Sequence, residues 1–368
     1  MPDQPASQRD FAGRVVAWQQ VNGRHDLPWQ QTRDPYRIWL AEIMLQQTQV
    51  QTVIPYYERF LARFPTLEAL AEAPLADVLE RWSGLGYYAR ARHLHRCAST
   101  MVAGQHDGFS ADPAINAQLP GIGRSTAAAI SVFAFGRRAA ILDGNVRRVL
   151  ARCFGLTSGA SPAQDERALW VLAESLLPEQ AIEAYTQGMM DLGATVCTRW
   201  QPACQACPLQ VICVARQQGR QTELPQRAVP KPVPERAGKL LLLTDGRQVL
   251  LERRPPSGIW GGLLSLPEVA AETAESFALR HGCRLKQTQQ LPTISHRFTH
   301  FRLSIEVLCG EVEVVGRLAA DAGWQWLALA DVAGAALPTP IRRLLLSLST
   351  TGWSFTAGGA AAGADDLG

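Results

Sequence analysis

Between residues 7 and 220, apolar residues recur at helical spacing, and alternating runs are few. The stretch "RDPYRIWLAEIMLQQTQVQTVIPYYERF" shows the pattern. Asp34 stands where a helix cap belongs, Pro35 fits the first helical position, and Tyr36, Leu40, Ile43, Met44 and Val50 form an apolar stripe. Glu42, Gln46 and Gln49 fall at i, i+4 and i+7, which predicts one polar strip along that helix, lining a cleft. Pro55, Pro65, Pro74, Pro113 and Pro120 punctuate further helical segments. The region reads as all-α.

The pattern changes near residue 220. "TELPQRAVPKPVPER" has four prolines and no helical period, so residues 221–236 read as an extended linker. Beyond it, "KLLLLTDGRQVLLERR" predicts a hairpin turning at Asp245-Gly246, and "FRLSIEVLCGEVEVV" alternates as a half-buried strand does. Residues 237–350 therefore form an α/β domain, and the low-complexity tail 351–368 is expected to be disordered. No internal repeat is found. A length of 368 residues suits such a multidomain plan. No apolar run approaches the roughly 20 residues of a membrane span, and "MPDQPASQRD" lacks the features of a signal peptide. A cytoplasmic protein is expected.

Charge sharpens the picture locally. The formal net charge is only +3, yet Arg81 to Arg152 holds ten arginines against Asp107, Asp112 and Asp143. Such a patch attracts polyanions, although solvated helix faces would carry the same charges. All three lysines (Lys231, Lys239 and Lys286) lie beyond residue 230.

Four stretches carry candidate chemistry. Cys197, Cys204, Cys207 and Cys213 are spaced C-x6-C-x2-C-x5-C and include half of the eight cysteines. In a reducing compartment this suits a structural metal centre, either a [4Fe–4S] cluster or zinc, with four unliganded cysteines as the ordinary alternative. The single short C-x2-C pair favours the cluster. In "LPGIGRSTA", Gly121 and Gly123 precede a helix and permit backbone N–H contacts to phosphate; a plain helix–turn–helix link would use the same glycines. No lysine follows, so a P-loop is excluded. Glu42 in "AEIMLQQTQV" and Asp143 in "ILDGNVRRVLAR" form a candidate pair for N-glycosidic hydrolysis. That reaction needs a protonated acid and an ionised carboxylate beside a cationic sugar. Surface exposure and helix capping are the ordinary alternatives for the two. "WSGLGYYARAR" sets Leu85 and Tyr87 in a glycine-hinged loop, suited to wedging into a base stack or to packing in a core.

Together these stretches, with "MMDLGATVCTRWQPACQACPL", resemble the MutY-type adenine DNA glycosylases of the helix–hairpin–helix, endonuclease III superfamily. The likeness covers residues 9–350. The resemblance implies a helical glycosylase domain over 7–220, with the hairpin at 115–135 and an iron–sulfur loop at 197–213. It also implies a Nudix-like domain at 237–350 that recognises 8-oxoguanine. The enzyme would remove adenine opposite 8-oxoguanine or guanine in double-stranded DNA, as a monomer with no membrane association. On this likeness Glu42 protonates adenine at N7 and Asp143 stabilises the sugar cation. Gln47, Leu85, Tyr87, Gly121, Gly123, Ser125, Asn145, Thr299 and His300 would meet DNA, and the four cysteines would hold a [4Fe–4S] cluster. Lyase members carry a Schiff-base lysine where this chain has Ser125, so base removal without strand cleavage is implied. "GIWGGLLSLPEVAAETAESFALRHG" lacks an intact Nudix signature, which implies binding without pyrophosphate hydrolysis. Phe298-Thr299-His300 departs from the usual Phe-Ser-His by one methyl group. The rival readings are a pyrimidine-damage glycosylase with lyase activity, a non-catalytic damage-binding protein and a metal-bound RNA or partner-binding module.

Overall fold

The computed structural model describes residues 10–105, 108–157, 159, 161–226, 232–269, 272–298, 300–316 and 323–351. Residues 352–368 of the expected tail and Thr299 lie outside the described residues, whereas Thr351 ends the last helix. The chain divides into two compact units, Met1–Ala73 with Ala89–Pro230, and Pro74–Tyr88 with Lys231–Gly368.

The described elements of the first unit are helical: α1 (Phe11–Asn22), α2 (Pro35–Leu45), α3 (Val50–Arg63) and α4 (Leu67–Glu72). Asp34 caps α2 by accepting from the Tyr36 N–H, with Pro35 next, as its sequence predicts. The single long helix expected from that stretch is instead two. α2 stops at Leu45, Gln47 takes a left-handed φ of 57°, and Gln49 caps α3. Gln49 therefore lies off the helical face of Glu42, and the predicted polar strip is interrupted after Gln46, the C-cap of α2. The break is held from a distance. Arg90 Nη1 donates to the carbonyls of Ile43 (2.9 Å), Met44 (2.8 Å) and Gln46 (2.6 Å), covering the open C-terminal end of α2 with a buried cation. Pro55 lies inside α3 rather than ending it. Burial of Val53, Tyr57 and Phe60 on one face holds that helix despite a proline cost of about 3 kcal/mol.

The unit continues through α6 (Ala89–Thr100), α7 (Pro113–Asn116), α8 (Arg124–Phe135), α9 (Gly144–Cys153), α10 (Pro162–Ser175), α11 (Ile182–Asp191) and α12 (Val214–Gln217); α5 (Leu75–Arg81) belongs to the second unit. α9 buries Val146, Val149, Leu150 and Cys153, spaced i, i+3, i+4, i+7, against a core that includes Phe11, Val15 and Met189.

In the second unit the expected hairpin turns at Asp245-Gly246. Asp245 Oδ1 accepts from the N–H groups of Arg247 and Gln248, each at 2.9 Å, and joins β1 (Glu235–Thr244) to β2 (Gln248–Arg253). β3 (Leu264–Ser265), β4 (Cys283–Arg297), β5 (Arg302–Val314) and β6 (Trp324–Ala328) complete a mixed sheet, ordered β3-β2-β1-β5-β4, with β6 also on β2. β1 and β5 run parallel at its centre. The unbroken run Leu240–Leu243 follows from that position. Leu240 and Leu242 face the core with Ile341 and Leu345 of α14 (Thr339–Thr351), whereas Leu241 and Leu243 face Phe277 of α13 (Ala274–Arg280).

Candidate active site

Glu42 is the one acidic side chain on α2, whose Tyr36, Ile38, Trp39, Leu40, Ala41, Ile43 and Met44 are all buried. A carboxylate so placed loses hydration, and this desolvation raises its pKa to about 7. Repulsion by Asp143 is the second cause. The two carboxyls, about a hundred residues apart in sequence, are thus electrostatic neighbours.

Asp143 caps α9, the ordinary role open to it, and does so beside Glu42. Its Oδ1 accepts from Val146 N at 2.7 Å and its Oδ2 from Asn145 Nδ2 at 3.2 Å. Two carboxyls in unlike surroundings are what acid catalysis combined with cation stabilisation requires.

Asn145 is itself held in place. Arg148 Nη2 donates to Asn145 Oδ1 (2.8 Å) and to Gly193 O (2.7 Å), while its Nε donates to Cys197 O (2.7 Å). Gly193 lies in a π-helical turn, Leu192–Val196, and a Cβ there would fall 2.5 Å from Asn145 Cβ. Asp191, fully buried just before this turn, accepts from Arg24 N (2.9 Å), Arg24 Nε (2.6 Å) and Gln187 Nε2 (2.8 Å). Arg148 and Asp191 did not stand out in the sequence, because their partners come from distant segments. The only local signal was Arg148 three residues after Asn145, one helical turn away.

The hairpin forms between α7 and α8. Gly121 has φ 79°, and a Cβ there would strike His93 Cβ at 2.6 Å, so glycine is required twice over. Gly123 caps α8 at an ordinary φ and faces open space. Buried Asn116 braces the turn through Ser110 O (2.7 Å), Ser110 N (2.9 Å) and Ser131 Oγ (3.1 Å). Ser125 is half-buried and accepts from Leu142 N at 3.1 Å, tying the hairpin helix to the residue before Asp143. Gln47 is exposed at the α2–α3 break, and Gln46 Nε2 reaches Thr126 Oγ1 at 3.4 Å.

Cys197, Cys204, Cys207 and Cys213 are half-buried and free of disulfides. Burial pushes Cys207 up to about 12, with repulsion from Cys197, Cys213 and Cys204 adding to it; Cys213 is raised by burial in the same way. Cys207 and Cys213 therefore lie within electrostatic range of each other and of both Cys197 and Cys204. Arg152 Nη1 contacts Cys197 Sγ at 3.4 Å and Thr198 O at 2.7 Å, which fixes the loop backbone. Among the described residues, no group of three or more His, Cys, Asp or Glu is arranged to hold one metal ion. A cube with one thiolate on each of four irons asks for ligands spread around it rather than converging on a point. As a donor set, four clustered thiols fit that group.

In the second unit, Leu85 is buried (6% exposed) and Tyr87 is exposed (49%) with a left-handed φ of 49°. His300 is exposed, its ring edge-on to Phe301 at 4.9 Å. No described helix is long and apolar enough to cross a membrane.

Comparison with known proteins bears on this arrangement. A profile of the HhH-GPD superfamily of base excision DNA repair proteins matches residues 40–175, a span that holds both carboxyls and the hairpin. A NUDIX domain profile matches residues 239–347. An adenine DNA glycosylase of Buchnera aphidicola subsp. Acyrthosiphon pisum is 32% identical over 338 residues, covering 91% of this chain and 96% of its own. The adenine DNA glycosylase of Homo sapiens is 32% identical, covering 91% of this chain and 73% of its own. Among solved structures, a thermostable thymine-DNA glycosylase aligns with 58% of this chain and 97% of its own, at TM-score 0.52 and 28% identity. With a helix–hairpin–helix unit, a Nudix-like sheet unit, a Buchnera relative matched nearly end to end and a human one matched over 73% of its length, the chain belongs to the adenine DNA glycosylases, enzymes of base excision repair.

Proposed function

We infer that this protein hydrolyses the N-glycosidic bond of adenine mispaired with 8-oxoguanine, or with guanine, in double-stranded DNA and leaves the strand intact. The observation that carries the reading is Glu42 raised to about 7 beside a hydrogen-bonded Asp143. Glu42 gives its proton to adenine N7, which makes the base a neutral leaving group. The C1′–N9 bond breaks, and Asp143 offsets the positive charge on the sugar. Water then adds at C1′ and gives up one proton, which restores the balance left by Glu42, so the products are free adenine and an abasic site. Extrusion of the adenine costs a few kcal/mol, least at a mispair.

Gly121 and Gly123 offer backbone N–H groups to phosphate, and Asn145 and Ser125 serve the DNA-facing side of the Asp143 segment. Gln47 and Tyr87, both exposed, enter the duplex around the mispair, and Thr299 and His300 read the 8-oxoguanine. Leu85, expected to meet DNA, is instead buried and packs within the loop that carries Tyr87. Cys197, Cys204, Cys207 and Cys213 hold a [4Fe–4S] cluster whose part is structural, since four protein ligands close it to substrate. The protein acts as a monomer in the cytoplasm, on the nucleoid. The rival lyase reading has no amine to support it: Ser125 occupies the hairpin position, its hydroxyl holds Leu142 N, and the first lysine is Lys231.

The test is purified protein on an A:8-oxoguanine duplex under single-turnover conditions. Adenine release with nicking only after alkali is expected, along with absorbance near 400 nm. No adenine release, or a borohydride-trapped protein–DNA adduct, would overturn the assignment.

A further inference from the structure

The segment Pro74–Tyr88 is flanked on both sides by the first unit, yet packs with the C-terminal unit. Its loop is braced from within: Trp82, fully buried, donates through Nε1 to Gly86 O at 3.1 Å, and Leu85 N donates to Trp82 O at 3.0 Å. Outside the loop, three consecutive carbonyls of Ala335–Leu337 are each used. Ala336 O accepts from Leu264 N of β3 at 3.0 Å, which anchors this stretch to the sheet. Ala335 O accepts from Ser83 Oγ at 3.1 Å, and Leu337 O from Tyr88 Oη at 3.2 Å. The flanking carbonyls thus take the loop and the middle one takes the sheet.

Arg342, half-buried in the first turn of α14, completes the seat. Its Nη2 donates to Ser83 Oγ, to Ala335 O at 2.7 Å and to Leu337 O at 3.5 Å. Tyr88 Oη also accepts from Gly84 N at 3.2 Å, so the two ends of the turn are closed on one hydroxyl. Within this closed turn Tyr87 holds its left-handed backbone, a conformation that costs a non-glycine residue about 1 kcal/mol or more and persists only when its surroundings impose it.

We propose that Arg342 and the Tyr88 hydroxyl are positioning residues for mispair recognition: with the Ala335–Leu337 carbonyls they form a seat through which the C-terminal unit fixes the backbone of Tyr87. The C-terminal unit then acts on recognition twice, once by reading the lesion and once by presetting the loop that carries Tyr87. Neither Arg342 nor the Tyr88 hydroxyl needs to touch DNA. The inference rests on the reading that Tyr87 enters the duplex.

The test uses the full chain and a duplex with 8-oxoguanine opposite 2′-fluoro-2′-deoxyadenosine, whose sugar resists cation formation. The readout is the ratio of its Kd to that of the same duplex with undamaged guanine. Tyr88→Phe and Arg342→Met should each reduce discrimination about five- to tenfold, the scale of one or two lost hydrogen bonds. Adenine release at saturating protein should stay within about twofold, and Arg342→Lys should restore part of the loss. In a Tyr87→Ala background, Tyr88→Phe should add nothing, because its effect runs through Tyr87. Unchanged discrimination in both single variants, with Tyr87→Ala impaired, would overturn the seat, as would full additivity. A silent Tyr87→Ala would remove the reading beneath it, and the seat with it. If Arg342→Met lowers the melting temperature sharply, Tyr88→Phe, which removes one oxygen, decides alone.

Discussion

α2 and the start of α9 each bring one carboxyl to the candidate site, and they treat it in opposite ways. On α2, apolar neighbours penalise the charge on Glu42 until it titrates near 7. At α9, the Val146 N–H and the Asn145 amide both donate to Asp143. The same chemical group thus meets two opposite settings, one that strips water from it and one that offers it hydrogen-bond donors. Surroundings decide the role, and residue type alone does not.

Removing either half of the contrast should have the largest effect. Glu42→Gln and Asp143→Asn are each expected to slow single-turnover adenine release by about 10²–10⁴-fold, while binding to an uncleavable duplex changes little. Similar loss from both with intact binding would support two separate roles. Near-normal release by Glu42→Gln would end the acid assignment.

Titration sharpens the comparison. The working form of Glu42 is protonated, so release should fall as pH rises above about 7, approaching tenfold per unit. The same shift has a stability counterpart. The folded state holds a proton that the unfolded state has released between the ordinary carboxylate range and about 7, so Glu42 lowers stability as pH rises through that window. Glu42→Gln should therefore melt higher than the parent protein at pH 8, and the gain should shrink at pH 5. An equal gain at both values would show that charge burial is not the cause.

A smaller effect is expected from the support of Asp143. Arg148→Met removes donors to Asn145, Gly193 and Cys197 together and should slow release about tenfold or more through misplacement of the carboxylate. Its pH profile should keep the inflection near 7 set by Glu42, which separates loss of positioning from loss of the acid. Ser125→Ala should be the mildest change. It leaves the Leu142 N–H without its acceptor and should cost about 1 kcal/mol in denaturant unfolding, with little effect on release.

Much of the plan was legible in the sequence because it rests on local rules. The cap at Asp34, the turn at Asp245-Gly246, the alternation of β5 and the change of pattern near residue 220 each depend on neighbours a few residues apart. The pairing of Glu42 with Asp143 was reached through chemistry and resemblance, since no spacing rule joins residues so far apart. The break after Leu45 was missed for a related reason. The helical period of "AEIMLQQTQV" continues past the point where Arg90, some forty residues on, takes the carbonyls that would have propagated it. The docking of Pro74–Tyr88 on the C-terminal unit leaves no trace in composition either, because its bonds go to backbone carbonyls that any residue supplies.

The contact between Gly193 and Asn145 has an evolutionary corollary. A methyl group at 193 would meet not only the Cβ of residue 145 but also its Cα at 2.9 Å and its carbonyl carbon at 3.0 Å. Trimming the neighbour's side chain cannot make room, so no second substitution at 145 rescues the first. Replacement of this glycine is therefore open only to chains whose backbone at 145 moves, and with it the support of Asp143.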